Sequence, residues 1–167
     1  MNDAPRPEEN WDELRAALAK WGVLINILGP FLLLGVAYIL RATEIFPETP
    51  KLDESSFQIL LYALGAVALG ELAVAFYLKK TMLRPPRFME TKHSFGKFFT
   101  RCVESMTLVF AVGAAPAVYG FVLYALGGTI EQFIFFILIS LIGYRFVRPG
   151  KDELEKLWDK IGATDIP

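Results

Sequence analysis

Glu71 stands between Gly70 and Leu72 in an apolar stretch, Phe57 to Leu78, that holds no other charged residue. A carboxylate in such a place can exchange a proton, receive a cationic group, or stay neutral and hydrogen-bond within a helix bundle. An ionised acid near the middle of a membrane costs roughly 2.5 to 3.5 kcal/mol on insertion scales, so it needs a partner, a proton or water. Three other polar residues fall at similar depth in the remaining apolar stretches. Counted along a helix, Glu71 is about 12 Å inside the Lys79 end, while Asn26, Thr107 and Ser140 are about 8, 9 and 8 Å inside the Trp21, Arg101 and Arg145 ends. These four are expected to form one intramembrane polar layer in which, where their sides face inward, Glu71 can accept a hydrogen bond from Asn26, Thr107 or Ser140.

The rest of the chain offers little else that could do chemistry. With one cysteine and one histidine, the chain cannot close a disulfide on itself or build a zinc cluster alone. A thiol–imidazole pair would require Cys102 to meet His93, and Cys102 beside Arg101 reads as a boundary or buried thiol. No glycine-rich phosphate loop, HExxH or GxSxG pattern is present. No metal or cofactor is expected, and the chain is read as non-enzymatic.

The elements that must position these residues are apolar helices. The 167 residues are 54% hydrophobic, with fourteen Phe and a mean hydropathy of +0.40, too apolar for a soluble domain of this size. The charges gather between apolar runs instead of forming one basic stripe, which argues against nucleic acid as a partner. Four runs have spanning length, 21–40, 57–78, 102–126 and 130–147. The fold class expected is all-α: an integral membrane four-helix bundle of two antiparallel transmembrane hairpins, with short amphipathic helices at both termini. Residues 1–20 form the lead, 21–148 the spanning domain and 149–167 the tail.

Local signals punctuate these runs. In the lead, Asn10 and Glu13 suggest a capped helix whose stripe Trp11, Leu14, Leu18 and Trp21 suits a membrane surface, the alternative being a cytosolic extension of the first span. The first apolar run is too long for a cleaved signal core, and Gly29-Pro30 within it should free carbonyls near Asn26 and kink the helix. Ser55 with Gln58, and Thr129 with Gln132, have capping-box spacing. Gly127-Gly128-Thr129 predicts a tight antiparallel turn. Arg84-Pro85-Pro86-Arg87 is not expected to be helical throughout, and Phe88, Phe95, Phe98 and Phe99 alternate with basic residues in what reads as a positively charged cytoplasmic loop able to meet lipid headgroups. Glu104 is placed to pair with Arg101. Beyond Arg148-Pro149-Gly150, Leu154, Leu157, Trp158 and Ile161 make an amphipathic stripe, with Asp152 four residues before Lys156.

With four spans, the lead, second connection and tail share one side and carry fifteen Lys and Arg, against two on the other side. The positive-inside rule then puts both termini in the cytoplasm.

The segment Gly113-Ala114-Ala115-Pro116-Ala117-Val118-Tyr119-Gly120-Phe121-Val122, with the hairpin that follows to Arg148-Pro149, resembles small uncharacterised bacterial four-span membrane proteins. Their third span is similar to the carboxylate-bearing helix of rotary ATPase proteolipid subunits. The resemblance implies a bacterial inner-membrane location and close helix packing at Gly113, Ala117 and Gly120. At the position five residues before Tyr119, where those subunits have their acid, this chain has Ala114, so rotor-type proton carriage is not implied.

Together these readings lead to a multi-pass accessory or structural subunit that meets the lipid bilayer and other membrane subunits, or copies of itself. Docking would use the small-residue faces and terminal helices. The alternative is a small proton- or ion-coupled transporter using Glu71.

Overall fold

In a computed structural model the described residues are 8–45, 52–92 and 94–163. Among them the regular structure is helical, with no strand. Helix α1 (Glu8–Val23) runs through a π-helical turn (Leu24–Leu28) into α2 (Gly29–Ala42). Then follow α3 (Glu54–Met82), a 3-10 helix (Pro85–Thr91), α4 (Phe95–Ala125), α5 (Ile130–Val147) and α6 (Lys151–Ala163). Four helices are long and apolar enough to cross a membrane: Trp11–Ala42, Glu54–Met82, Phe95–Ala125 and Ile130–Val147.

The centre is α4. In their most apolar windows, α4 and α5 each have 44% of residues buried, against 17% in the first helix and 11% in α3. Helices α1, α2, α3 and α5 all pack on α4, and α3 also touches α5, but α2 and α3 barely meet. Among the described residues α4 and α5 form one packed hairpin, and α2 and α3 each lie against it. The reason lies at the α4–α5 contact, where Gly120 lets Phe133 and Phe136 come close and Gly143 approaches the Gly113 carbonyl. Small residues admit such backbone approach, and the α2–α3 pair has no matching seam.

Turn chemistry explains the ends. Helix α4 stops where Gly127 adopts φ 96°, and the Gly128 amide returns to the Leu123 carbonyl at 2.9 Å. This is a Schellman-type end. Thr129 and Gln132 then form the anticipated capping box on α5. The cap of α3 differs from expectation. Asp53, not Ser55, occupies the N-cap and accepts from the Ser56 amide at 3.0 Å, while the Ser55 hydroxyl donates to the same carboxylate. A carboxylate takes both bonds and also faces the positive end of the helix, which a hydroxyl does less well.

The Ser55 hydroxyl, followed by the Ser56 amide, holds the exposed Asp53 carboxyl down to about 2. The cap is therefore complete above the ordinary carboxylate range, about 3.9, and is lost as pH falls through the folded value. The Ser56 amide resonance is expected to titrate near that folded value and to lose the titration in Asp53→Ala. An inflection at the ordinary carboxylate value would show the cap to be unformed.

Pro30 is accommodated by widening. It has no N–H for the Asn26 carbonyl and its ring would collide there. The helix opens into the π turn, where the Gly29 amide bonds the Leu24 carbonyl, and continues.

The terminal helices depart most from expectation. Helix α1 begins at Glu8, so Asn10 is inside it and is not its cap. It does not lie apart on a surface: Trp11, Leu14 and Leu18 are buried. They join Phe88, Phe98, Cys102, Leu154, Leu157 and Ile161 in one apolar core. Edge-on ring contacts link Trp11 to Phe95 at 5.1 Å and Phe98 to Trp158 at 4.9 Å. Each such pair is worth about 0.5 to 1.5 kcal/mol beyond area burial. The aromatics interleaved with basic residues are thus partly interior, Phe88 and Phe98 completely so. In the 3-10 helix Arg84 is extended, as the residue before proline should be, but Pro85 is helical. The lead and tail are consequently parts of the bundle that close its basic end, not independent segments.

Candidate functional site

Glu71 lies on the side of α3 turned toward α4. The Tyr119 hydroxyl donates to Glu71 Oε1, while Glu71 Oε2 is buried without a hydrogen-bond partner in the protein. Both side chains are partly buried. A hydroxyl can serve a neutral acid or a carboxylate, so the pair provides one fixed hydrogen bond and one open acceptor position, enough to hold α3 on α4 or to receive a proton or cation.

The other three polar residues do not join Glu71. Asn26 is fully buried in the π turn, and its Nδ2 donates to the Gly22 carbonyl at 3.3 Å. Its Oδ1 has no protein partner and faces Gly113, where an added Cβ would stand 3.4 Å away. Ser140 is also fully buried, its hydroxyl unpartnered. It is one turn before Tyr144, whose buried hydroxyl also lacks a partner and closes on Gly22. Thr107 satisfies itself by donating to the Val103 carbonyl at 2.8 Å. The single expected layer is thus an α3–α4 acid–phenol pair, a separate group of buried polar atoms around the π turn, and a threonine bonded within its own helix. Depth says nothing of which way a side chain points around its helix.

Gly113, Ala117 and Gly120 are buried inside the chain. Gly120 faces Phe133 and Phe136 of α5, Gly113 faces Asn26 of the π turn, and Ala117 packs in the cluster that also holds Ala37 of α2. Small-residue surface is left open on α3 and, at Gly35, on α2. An added Cβ at Gly65 or Gly70 would meet nothing within 4 Å.

Two residues carry more structure than their types suggested. In the sequence Tyr119 is only a marker of the proteolipid-like segment, although a hydroxyl beside the Gly113, Ala117 and Gly120 stripe is a natural partner for an acid on the next helix. Arg41, counted only as a loop charge, donates from Nη2 to the Tyr124 carbonyl at 2.8 Å and the Gly128 carbonyl at 3.0 Å. Its guanidinium also stacks 3.6 Å from the Tyr124 ring centroid. It ties the end of α2 to the negative end of α4, as helix dipoles favour. The signal was a lone arginine one step past an apolar run.

Cys102 is buried in the apolar core, and His93, its only possible imidazole partner, lies outside the described residues. Glu104 pairs with Arg101 at 3.7 Å as expected. In the tail, Lys151 pairs with Glu155, and Glu153 pairs with Lys79 of α3. Among the described residues no cluster of three His, Cys, Asp or Glu side chains could hold a metal. No known protein family matches this sequence, and neither a curated protein nor a solved structure is detectably similar to it.

Proposed function

We propose that the chain is a non-catalytic, multi-pass integral membrane protein that serves as a structural or accessory subunit of a larger membrane assembly. The basic end, where both terminal helices pack, faces the cytoplasm in this reading, and a bacterial inner membrane is the setting. One observation carries the partner-binding part: an open groove of ≈ 580 Å³ between α3 and α5, walled by Leu61, Tyr62, Leu69 and Phe135 and floored by Gly65 and Ala66. The floor is small enough for another helix to approach backbone to backbone, which is how helices associate where hydrocarbon supplies no hydrophobic drive. The docking surface is thus moved from Gly113, Ala117 and Gly120, which the chain uses on itself, to the outer side of α3.

Purification in mild detergent tests this. The wild-type chain should bring down stoichiometric membrane partners, and Gly65→Trp should release them while the chain stays folded and monodisperse. A wild-type chain that purifies alone, or only with copies of itself, would remove the proposal. In the same cells a tag on the C-terminus should escape a membrane-impermeant label, and labelling of intact cells would reverse the orientation.

A second reading, a proton- or ion-coupled transporter, is favoured by the unpartnered, buried Glu71 Oε2. Variants of Glu71 separate the two readings.

A further inference from the structure

At the basic end of α3 the chain forms a second open groove of ≈ 580 Å³, set between Lys79 and Lys80 of α3 and the Glu153, Lys156 and Lys160 face of α6. On α6 these three residues are spaced by three and four, so they share one side of the helix. Lys79 is committed to Glu153 at 2.8 Å and is mostly covered, which anchors α6 to α3. Lys80 and Lys156 add positive charge to a groove whose described lining holds one carboxylate, Glu153. One turn deeper on α3, Phe76 and Tyr77 line the same groove and are 44% and 64% exposed. The groove is therefore basic at its mouth and continuous with an outward apolar face of a helix of spanning length.

We propose that this groove binds the phosphate headgroup of an anionic phospholipid, with its acyl chains lying along Phe76 and Tyr77. A free phosphate would be matched by the lysines alone. The exposed aromatic and apolar wall joined to them fits a molecule that is anionic at one end and hydrocarbon at the other. Basic pockets beside spanning helices on the cytoplasmic side take such headgroups. Bound there, the lipid would bridge α3 and α6 and so stabilise the docking of the tail on the bundle. The assignment rests on the membrane reading above.

The test uses the full chain reconstituted into vesicles of phosphatidylcholine with an equal share of phosphatidylglycerol, then gently released and weighed with its retained lipid by native mass spectrometry. Retained phosphatidylglycerol should exceed its share of the vesicle. Lys156→Gln should lower that enrichment by about five-fold, the effect of one lysine near a charged surface. The combined Lys80→Gln, Lys156→Gln and Lys160→Gln variant, which keeps the Lys79–Glu153 pair, should abolish it. Lys97→Gln, at an exposed basic residue on the first turn of α4, should leave it unchanged. Enrichment that survives the triple variant, or that falls equally with Lys97→Gln, would overturn the site. Displacement of the lipid by an equal concentration of inorganic phosphate would reassign the groove to a free anion. Failure of the wild-type chain to float with the vesicles would remove the membrane reading and this one together, whereas flotation without enrichment removes this one alone.

Discussion

Gly120→Leu is expected to prevent the α4–α5 hairpin from closing, and even Gly120→Ala should lower the melting temperature in detergent. A Cβ on Gly120 would stand 2.7 Å from Phe133 Cδ2, 2.9 Å from Phe136 Cβ and 3.1 Å from the Phe133 carbonyl oxygen. Two of those three atoms are fixed to the α5 backbone, so the strain cannot be relieved by turning a side chain. The helices must move apart, and Phe133 and Phe136, both fully buried, would lose contacts along the seam. Overpacking of this kind costs about 1 to 3 kcal/mol for a small addition, and leucine adds three further carbons in the same place. Gly35→Ala is the control. Nothing lies within 4 Å of its added Cβ, so the substitution should be neutral or should stabilise by up to about 1 kcal/mol through helix propensity. Equal melting temperatures for Gly120→Ala and Gly35→Ala would show that the seam is looser than described.

Glu71→Leu is expected to destabilise the chain by about 1 to 3 kcal/mol, because it leaves the Tyr119 hydroxyl without its acceptor in a partly buried place. Glu71→Gln keeps a carbonyl oxygen for that hydroxyl and should cost much less. Adding Tyr119→Phe to Glu71→Leu should recover most of the loss, since removing both partners of a buried bond is nearly neutral. The double-mutant cycle would then show a coupling within the 0.5 to 3 kcal/mol typical of residues in contact. Additive effects would mean that the two side chains do not interact. The same variants decide function. In a subunit held together by this pair, Glu71→Gln behaves as wild type. In a proton- or ion-coupled transporter it assembles normally yet loses pH-dependent flux in reconstituted vesicles, and that result would overturn the structural reading of Glu71.

Much of the architecture was legible along the chain. The apolar runs gave four helices, Gly127-Gly128-Thr129 gave the turn, and Thr129 with Gln132 gave the cap. Glu71 stood out because its cost depends only on its own charge and its apolar neighbours. The failures share a cause. Ser55 was preferred to Asp53 as a cap because two acceptors were available within three residues, and the choice rested on which oxygen the folded turn presents. Trp11, Leu14 and Leu18, with Leu154, Leu157 and Ile161, had the right periodicity for amphipathic helices. A stripe shows that a helix has something to cover, but it does not say whether lipid, a partner or the other terminus covers it.

The sequence by itself therefore determined the four apolar helices, the turn and cap at Gly127 to Gln132 and the residue most costly to place, because these follow from backbone sterics, hydrogen bonds within a few residues and transfer free energies. Only the tertiary structure decided that Glu71 meets Tyr119, that the Gly113, Ala117 and Gly120 face is spent within the chain, and that an open groove lies between α3 and α5. Those outcomes depend on the rotation and register of one helix against another. They are set by the fit of side-chain volumes at contacts such as Gly120 with Phe133 and Phe136, between segments that no local pattern connects.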